Sequence, residues 1–349
     1  MSGIKTSTSL AVKYRPQRFS DVVEQDTIKQ ILSEQLATGQ LKRVLLFTGP
    51  AGCGKTTNGR IFANEIEPVK ANIIEINAAD HTGVEDVRSI IENCKTKPLY
   101  GTYKVFIIDE VHSLSVNAFN ALLKLLEEPP SYCVFIMCTT DPQKIIGTIL
   151  SRAYRYDFQK ISHQGIVNRL NYILESEKSE GENGCGVQSW TLDALNYIAK
   201  VANGGMRDAV TLLDKCLSYS KNLTIDDVVK VLGVTSYDIQ FDILDAMINH
   251  KEQELTIKLD ELYKSGKDLK LFTKNFLSFI LDVNKFITLK SFDYISIPST
   301  YQGRLNTYHE GNKQYLKYLL AKLMELNTNM KWEVNPRTLL ESSFLLEVL

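Results

Sequence analysis

At 349 residues the chain exceeds what one ordinary hydrophobic core organises, so two or three domains are expected. A hydrophobic content of 44% and a charged content of 23% are those of a water-soluble globular chain, and a net charge of −1 excludes capture of nucleic acid by a global positive field. No apolar run reaches membrane-spanning length, and the opening Met1–Ser9 segment is polar, unlike a targeting signal. The six cysteines, at positions 53, 94, 133, 138, 185 and 216, are scattered, without a C-x-x-C pair or a nearby His cluster. That pattern argues against zinc and for a reducing, cytoplasmic setting.

In chain order, the first clear element is the apolar run Arg43–Thr48, which reads as a buried strand. It leads directly into Gly49-Pro50-Ala51-Gly52-Cys53-Gly54-Lys55-Thr56, a complete G-x-x-x-x-G-K-T phosphate-binding loop, and then into helix-compatible Thr57–Asn64. The glycines let the N–H groups from Ala51 to Thr56 converge as an anion nest at a helix N-terminus. Lys55 is then suited to the β- and γ-phosphates of a nucleotide and the Thr56 hydroxyl to Mg²⁺.

Three further β-branched runs follow, Ile73–Asn77, Val105–Asp109 and Val134–Thr139, each separated from the next by a helical pattern. This predicts a parallel sheet buried on both faces, to which Tyr154–Phe158 adds an edge strand. Val105–Asp109 closes on Asp109-Glu110 at the carboxyl end of its strand, where parallel sheets bind ligands. Asp109 is suited to hold Mg²⁺, and Glu110 to orient and deprotonate an attacking water. The Phe135–Thr140 strand is expected beside the P-loop strand, with Thr140 at its tip placed for the γ-phosphate or the water. The competing role for Thr140 is a turn residue before Asp141-Pro142. Arg152 and Arg207 are, by themselves, ordinary surface arginines.

From Ile161 onward the strand pattern stops. Ile166, Leu170, Ile173 and Leu174 recur at helical spacing, and helices are expected over Leu192–Ala202 and Arg207–Leu217, separated by Asn203-Gly204-Gly205. Domain boundaries fall near Gln159 and near Val234–Ser236, giving domains over 1–159, 160–235 and 236–349.

Taken together these residues resemble AAA+ ATPases of the clamp-loader group, most nearly the gamma/tau motor subunits of the bacterial DNA polymerase III clamp loader. The resemblance runs from Leu10–Pro16 and Phe19–Val23 through the P-loop and Val84–Arg88. It continues over Ile108–His112, Asn120–Lys124, Leu126–Pro130, Thr139–Lys144 and Ile149–Arg152 to Asn335–Glu341. It implies an α/β AAA+ domain with a RecA-like αβα parallel sheet, a small helical lid and an all-α collar. It implies ATP and Mg²⁺ as cofactors. The adenine pocket would draw on Ala11, Tyr14, Arg15, Val22 and Val23, the phosphate site on the P-loop with Thr57, Met206 and Arg207. Thr140 would be sensor 1 and Arg207 sensor 2. Arg152 would be an arginine finger reaching a neighbour's site. Arg88, Lys124 and Thr148 would face DNA. Partners implied are further copies of the chain, delta- and delta-prime-like subunits, a sliding clamp and primer–template DNA, with no membrane.

The sequence departs from that family in places. The zinc module usual between the P-loop helix and the second strand is absent, since Phe62–Asn72 is short and holds no cysteine. His81 and Gly83 stand at positions that are usually basic, Ala153 where a cysteine is usual, and Glu24 where a small residue is usual. The sequence also stops after the collar signature, and these departures together lead to the expectation of a streamlined form of phage or divergent bacterial origin. Rival readings are a non-hydrolysing scaffold subunit of the same complex, another AAA+ replication or recombination ATPase, and a module using ATP as structural glue.

Overall fold

Alternate residues along each central strand feed two different cores, which is why those strands read as unbroken apolar runs. The computed structural model describes residues 8–80, 83–181, 185–233, 235–292 and 294–346. Its strands β1 (Val44–Thr48), β2 (Ile73–Asn77), β3 (Lys104–Asp109), β4 (Cys133–Thr139) and β5 (Tyr154–Asp157) form one parallel sheet in the order β2-β3-β4-β1-β5. Val44 and Leu46, Phe106 and Ile108, and Phe135 and Met137 enter one core, while Leu45 and Phe47, Val105 and Ile107, and Val134 and Ile136 enter the other.

Helices α1 (Leu10–Lys13), α2 (Asp26–Thr38) and α3 (Lys55–Ile66) precede β2, and α4 (Val84–Cys94), α5 (Val116–Glu127) and α6 (Gly147–Leu150) come between later strands. The first core is closed by α4, α5 and α6 through residues such as Val87, Phe119, Leu122 and Ile149; α2 and α3 close the second through Ile28, Leu32 and Phe62. Phe47, Phe106 and Phe135 are fully buried, each contributing about 1.5–3 kcal/mol relative to exposure. The helix α2 carries no strong sequence signal; Gln25, in the left-handed region at φ 59°, and Gly39 at φ 69° bracket it. The strand β2, expected to be buried on both faces, is an edge strand and is only partly covered.

The chain divides into two compact units, Met1–Ser176 with Val201–Asp214, and Glu177–Lys200 with Lys215–Leu349. The helix α7 (His163–Ser179) follows the sheet. A two-residue parallel pair, β6 (Ser189–Trp190) with β7 (Asn222–Leu223), flanks α8 (Leu192–Ala202) and α9 (Met206–Tyr219), so strands do recur past Ile161. The second unit continues with α10 (Ile225–Val231), α11 (Tyr237–Ile248), α12 (Glu252–Lys264), α13 (Leu269–Leu289), α14 (Gln302–Leu305), α15 (Lys313–Asn329) and α16 (Pro336–Leu345). Its core is aromatic: Phe241 meets Phe279 edge-on at 4.7 Å, and Phe276 stacks on Phe279 at 5.9 Å. The Asn335–Glu341 signature opens α16: the Asn335 side chain accepts the Thr338 N–H, and Pro336 takes a position needing no donor. Arg337 then ties α16 to α12 through Asp260 at 3.2 Å and the Tyr263 ring at 4.2 Å.

Candidate nucleotide-hydrolysis site

The sheet order places the carboxyl ends of β3, β4 and β1 side by side, and every expected catalytic group of the P-loop kind sits there or on the loop that follows. After Thr48 the chain turns through Gly49, Gly52 and Gly54 at φ 143°, 71° and 100°, conformations that side chains rarely adopt. The fit is also steric: a Cβ on Gly49 would lie 2.3 Å from Phe158 O, and one on Gly52 would lie 2.9 Å from Gly205 Cα. Gly54 caps α3, which begins at Lys55, two residues earlier than the pattern suggested. Lys55 is buried at 6% exposure, and its ammonium donates to Gly49 O at 2.8 Å and Pro50 O at 2.7 Å. Burial pushes the Cys53 thiol up, and it donates to Pro50 O at 2.9 Å, so it is a packing group rather than a nucleophile.

The Thr56 hydroxyl donates to Asp109 Oδ2 at 2.9 Å, joining the P-loop helix to the end of β3. The two oxygens are hard ligands close enough to share one Mg²⁺, with phosphate and water completing its shell. Glu110, next in the chain, adopts φ 48° in the left-handed region. Its Oε2 accepts the Thr140 N–H at 3.3 Å and the Thr140 hydroxyl at 2.9 Å. Thr140 thus contacts the expected base directly instead of serving only as a turn residue. Among the described residues, no group of three or more His, Cys, Asp or Glu side chains is arranged to hold a metal ion.

Lys55, Thr56, Asp109 and Glu110 open onto a cavity of about 320 Å³ within the first unit; Thr140 does not line it and reaches the site only through Glu110. Of the expected residues, Ala11, Tyr14, Arg15, Val22 and Val23 line it, and so do Ala51 to Thr57 of the phosphate-binding loop and the start of α3. Asp109, Glu110, Met206 and Arg207 complete it; Gly49 and Pro50 support the loop from behind without lining the cavity. Met206 is brought in by its N–H, which donates to Gly52 O at 3.0 Å. The chemistry fits a nucleoside triphosphate with Mg²⁺: an apolar slot for a base, a cradle of N–H groups, a lysine, and two metal-directed oxygens.

Sequence reasoning missed Arg60, Ile161, Arg169 and Asp208, which also line the cavity. Arg60 had a signal, lying four residues after Thr56 on the same helix face, and it is held by both carboxylate oxygens of Glu75. Arg169 had none: it donates to Tyr14 O at 3.0 Å from 155 residues away. Glu24 is used as well, its carboxylate accepting the Ser162 N–H at 3.0 Å.

Arg152 is not brought to this cavity. Its guanidinium donates to Thr148 O at 2.7 Å and pairs with Glu127. Arg88, Lys124 and Thr148 are exposed on α4, α5 and α6, three successive elements closing the same core. His81 lies outside the described residues.

Three family models match in succession: "DNA polymerase III, delta subunit" over residues 66–162, "DNA polymerase III clamp loader subunit, ATPase lid domain" over 165–222, and "DNA polymerase III subunits gamma and tau domain III" over 223–313. The DNA polymerase III subunit tau of Bacillus subtilis is 34% identical, with 94% of this chain and 61% of that one covered. The chain thus spans about three-fifths of that relative's length. The subunit gamma of Buchnera aphidicola (subspecies Baizongia pistaciae) is 33% identical, with 91% of this chain and 87% of the relative covered. Among solved structures, the Thermotoga maritima RuvB Holliday junction branch migration motor superposes with a TM-score of 0.51 at 19% identity, covering 76% of this chain and 90% of that one. That last likeness is one of AAA+ fold alone.

Proposed function

Because the chain belongs to the gamma and tau family of DNA polymerase III clamp-loader subunits, we propose that it is the ATP-hydrolysing motor of a sliding-clamp loader. One observation carries the reading. The Thr56–Asp109 pair and the Glu110–Thr140 pair stand at adjacent strand ends and open, through Thr56, Asp109 and Glu110, onto one cavity with the P-loop. A scaffold subunit has no use for the base and the metal pair together.

In this reading Lys55 neutralises phosphate charge, and Thr56 and Asp109 hold Mg²⁺, which when bound offsets the charge on the phosphoryl oxygens. Glu110 takes the proton of the attacking water, with Thr140 fixing one of its oxygens, and Arg207 faces the phosphates from α9. Domains follow the division 1–159, 160–235 and 236–349, the last serving as collar. The partners are further copies of the chain, delta- and delta-prime-like subunits, a sliding clamp and primer–template DNA, in bacterial or phage-infected cytoplasm. The Arg88, Lys124 and Thr148 positions form the DNA-facing array.

Arg152 acts in trans. Its ion pair with Glu127 is half-exposed, and pairs of that kind are worth only about 0–1 kcal/mol, so leaving Glu127 for a neighbour's γ-phosphate costs little. An arginine finger raises turnover by roughly 10³–10⁵ in other nucleotide hydrolases, so assembly gates hydrolysis. The test mixes Arg152→Ala with Lys55→Ala chains, each inactive alone. Co-assembly creates interfaces where the first binds ATP and the second donates its arginine, and ATP hydrolysis partly recovers. No recovery in mixed complexes verified by mass would remove the head-to-tail arrangement.

A further inference from the structure

The first helix, α1, lies where the base is expected, yet it is only four residues long, so its place in the fold depends on what holds its ends. Leu10 and Ala11 on α1, and Tyr14 at its end, line the cavity. At the start of α1 the Ser9 side chain makes no cap, and the Leu10 N–H donates instead to Asp214 Oδ2 at 3.1 Å. At the other end the Tyr14 carbonyl accepts from Arg169 Nη2 at 3.0 Å. Asp214 stands on α9 and Arg169 on α7, 204 and 155 residues from their partners. A carboxylate at the first N–H and a guanidinium at the last carbonyl are the charges that the two ends of a helix favour.

The same helix α9 also holds the phosphate-binding loop. Met206, its first residue, donates its N–H to Gly52 O at 3.0 Å. Val210, one turn further, lines the cavity. Asp214 comes one turn beyond that, roughly 12 Å along the axis from Met206. Residues four apart share a helix face, so Met206, Val210 and Asp214 stand in one row. The start of α9 therefore grips the loop and its third turn grips α1, which sets the span between them. Leu10 is 3% exposed, so an N–H left there without its acceptor is poorly served by water. Asp214 is half-buried and does not line the cavity.

We propose that Asp214 is a positioning residue for nucleotide binding: through the Leu10 N–H it holds α1 at a fixed distance from the phosphate-binding loop, with Arg169 securing the far end of α1. This rests on the reading of the cavity as a nucleotide site with α1 at the base. Asp214 touches no nucleotide, and its effect passes entirely through α1. Losing a hydrogen bond to a charged acceptor is expected to weaken nucleotide affinity by about tenfold to a hundredfold. Lys55, Thr56, Asp109 and Glu110 are left in place, so kcat at saturating ATP is expected to stay put.

The experiment compares Asp214→Ala, Asp214→Asn and Lys55→Ala with the unmodified chain. It reads the Kd for Mg²⁺·ADP by calorimetry, and KM and kcat for ATP in the assembled complex. Alanine removes the acceptor, whereas asparagine keeps a carbonyl oxygen at the same reach and removes only the charge. The expected result is a Kd and a KM raised about tenfold or more for Asp214→Ala with kcat unchanged, and values near wild type for Asp214→Asn. Should Asp214→Ala not fold, Asp214→Leu replaces it, with thermal melting as the check. A Kd within about twofold of wild type for the variant without the acceptor, a kcat that falls along with affinity, or a loss that asparagine does not restore, overturns the positioning role. Lys55→Ala separates the two claims. If it binds ADP and hydrolyses ATP as the unmodified chain does, the nucleotide-site reading itself fails, whereas a crippled Lys55→Ala beside an unaffected Asp214→Ala sinks only the role of Asp214.

Discussion

The two ends of the parallel sheet treat buried polar groups in opposite ways. At the carboxyl end, Gly49, Gly52, Gly54 and Glu110 all adopt positive φ, and Gly52, Gly54 and Glu110 line a cavity. At the amino end, the fully buried Glu67 is closed off by the protein itself. It accepts N–H bonds from Val69 at 2.9 Å, Thr102 at 2.7 Å and Tyr103 at 2.8 Å. Gly101, at φ 87°, makes room for it, since a Cβ there would lie 2.3 Å from Glu67 Oε1. Burial alone would raise the Glu67 carboxyl, but the N–H groups of Tyr103, Val69 and Thr102 and the Asn72 amide outweigh it and hold the pKa below the ordinary value. One end spends its polar groups on a ligand and the other on the fold. Glu67 also lies in the short Phe62–Asn72 connection, where the family resemblance anticipates a larger module.

Changes at the two ends should therefore separate activity from stability. The largest effect is expected from Lys55→Ala: ATP hydrolysis should fall by about 10³-fold or more, because the ammonium stabilises charge on the transferring phosphoryl group. Its melting temperature should stay within a few degrees of wild type. A large drop in melting temperature would show that the loop supports the fold as much as the ligand.

Glu67→Ala should show the reverse. Three N–H donors lose their buried acceptor, so stability should fall by about 3 kcal/mol or more, measured by urea unfolding of the first transition. The Kd for ATP of the molecules still folded should be unchanged. An ATP affinity that falls with stability would mean that the two ends are coupled.

A pH series sharpens the contrast. With its folded pKa below the unfolded one, Glu67 contributes stability that is complete above the unfolded value of about 4.3 and is lost as pH falls through the folded value. Wild-type stability should drop steeply below about pH 4, and Glu67→Gln should start less stable and lose less in that window. Parallel acid profiles for the two proteins would contradict a depressed Glu67.

The smallest effects belong to the exposed face. Arg88→Ala or Lys124→Ala should leave melting and basal hydrolysis unchanged while weakening binding to primed DNA of any sequence, with the log–log salt slope falling by about one per residue. A sequence-dependent loss would point to base reading instead.

What was legible in the sequence was what local chemistry encodes. A glycine needed at positive φ, a lysine and threonine at fixed spacing after it, and carboxylates closing an apolar run each announce themselves within a few residues, because the constraint acts over the same few residues. The strands at Val44–Thr48 and Ile73–Asn77 therefore appear where the apolar pattern put them, with β3 and β4 each beginning one residue earlier. The family followed from the order of those motifs. The strand pair of Ser189–Trp190 with Asn222–Leu223 was not legible, since two residues carry no periodicity. Nor was the edge position of β2, which depends on which neighbour a strand lacks.

Only the tertiary structure decided which distant groups meet. It carried Arg169 to the Tyr14 carbonyl, closed the 109-residue gap between Thr48 and Asp157, and set Glu67 against a turn 35 residues away. It also placed the Thr140 hydroxyl on an oxygen of Glu110, 30 residues away. Such meetings have no local signature because the chain between the partners is free to vary; it is the packing of two cores on one sheet that fixes the distance at which they end.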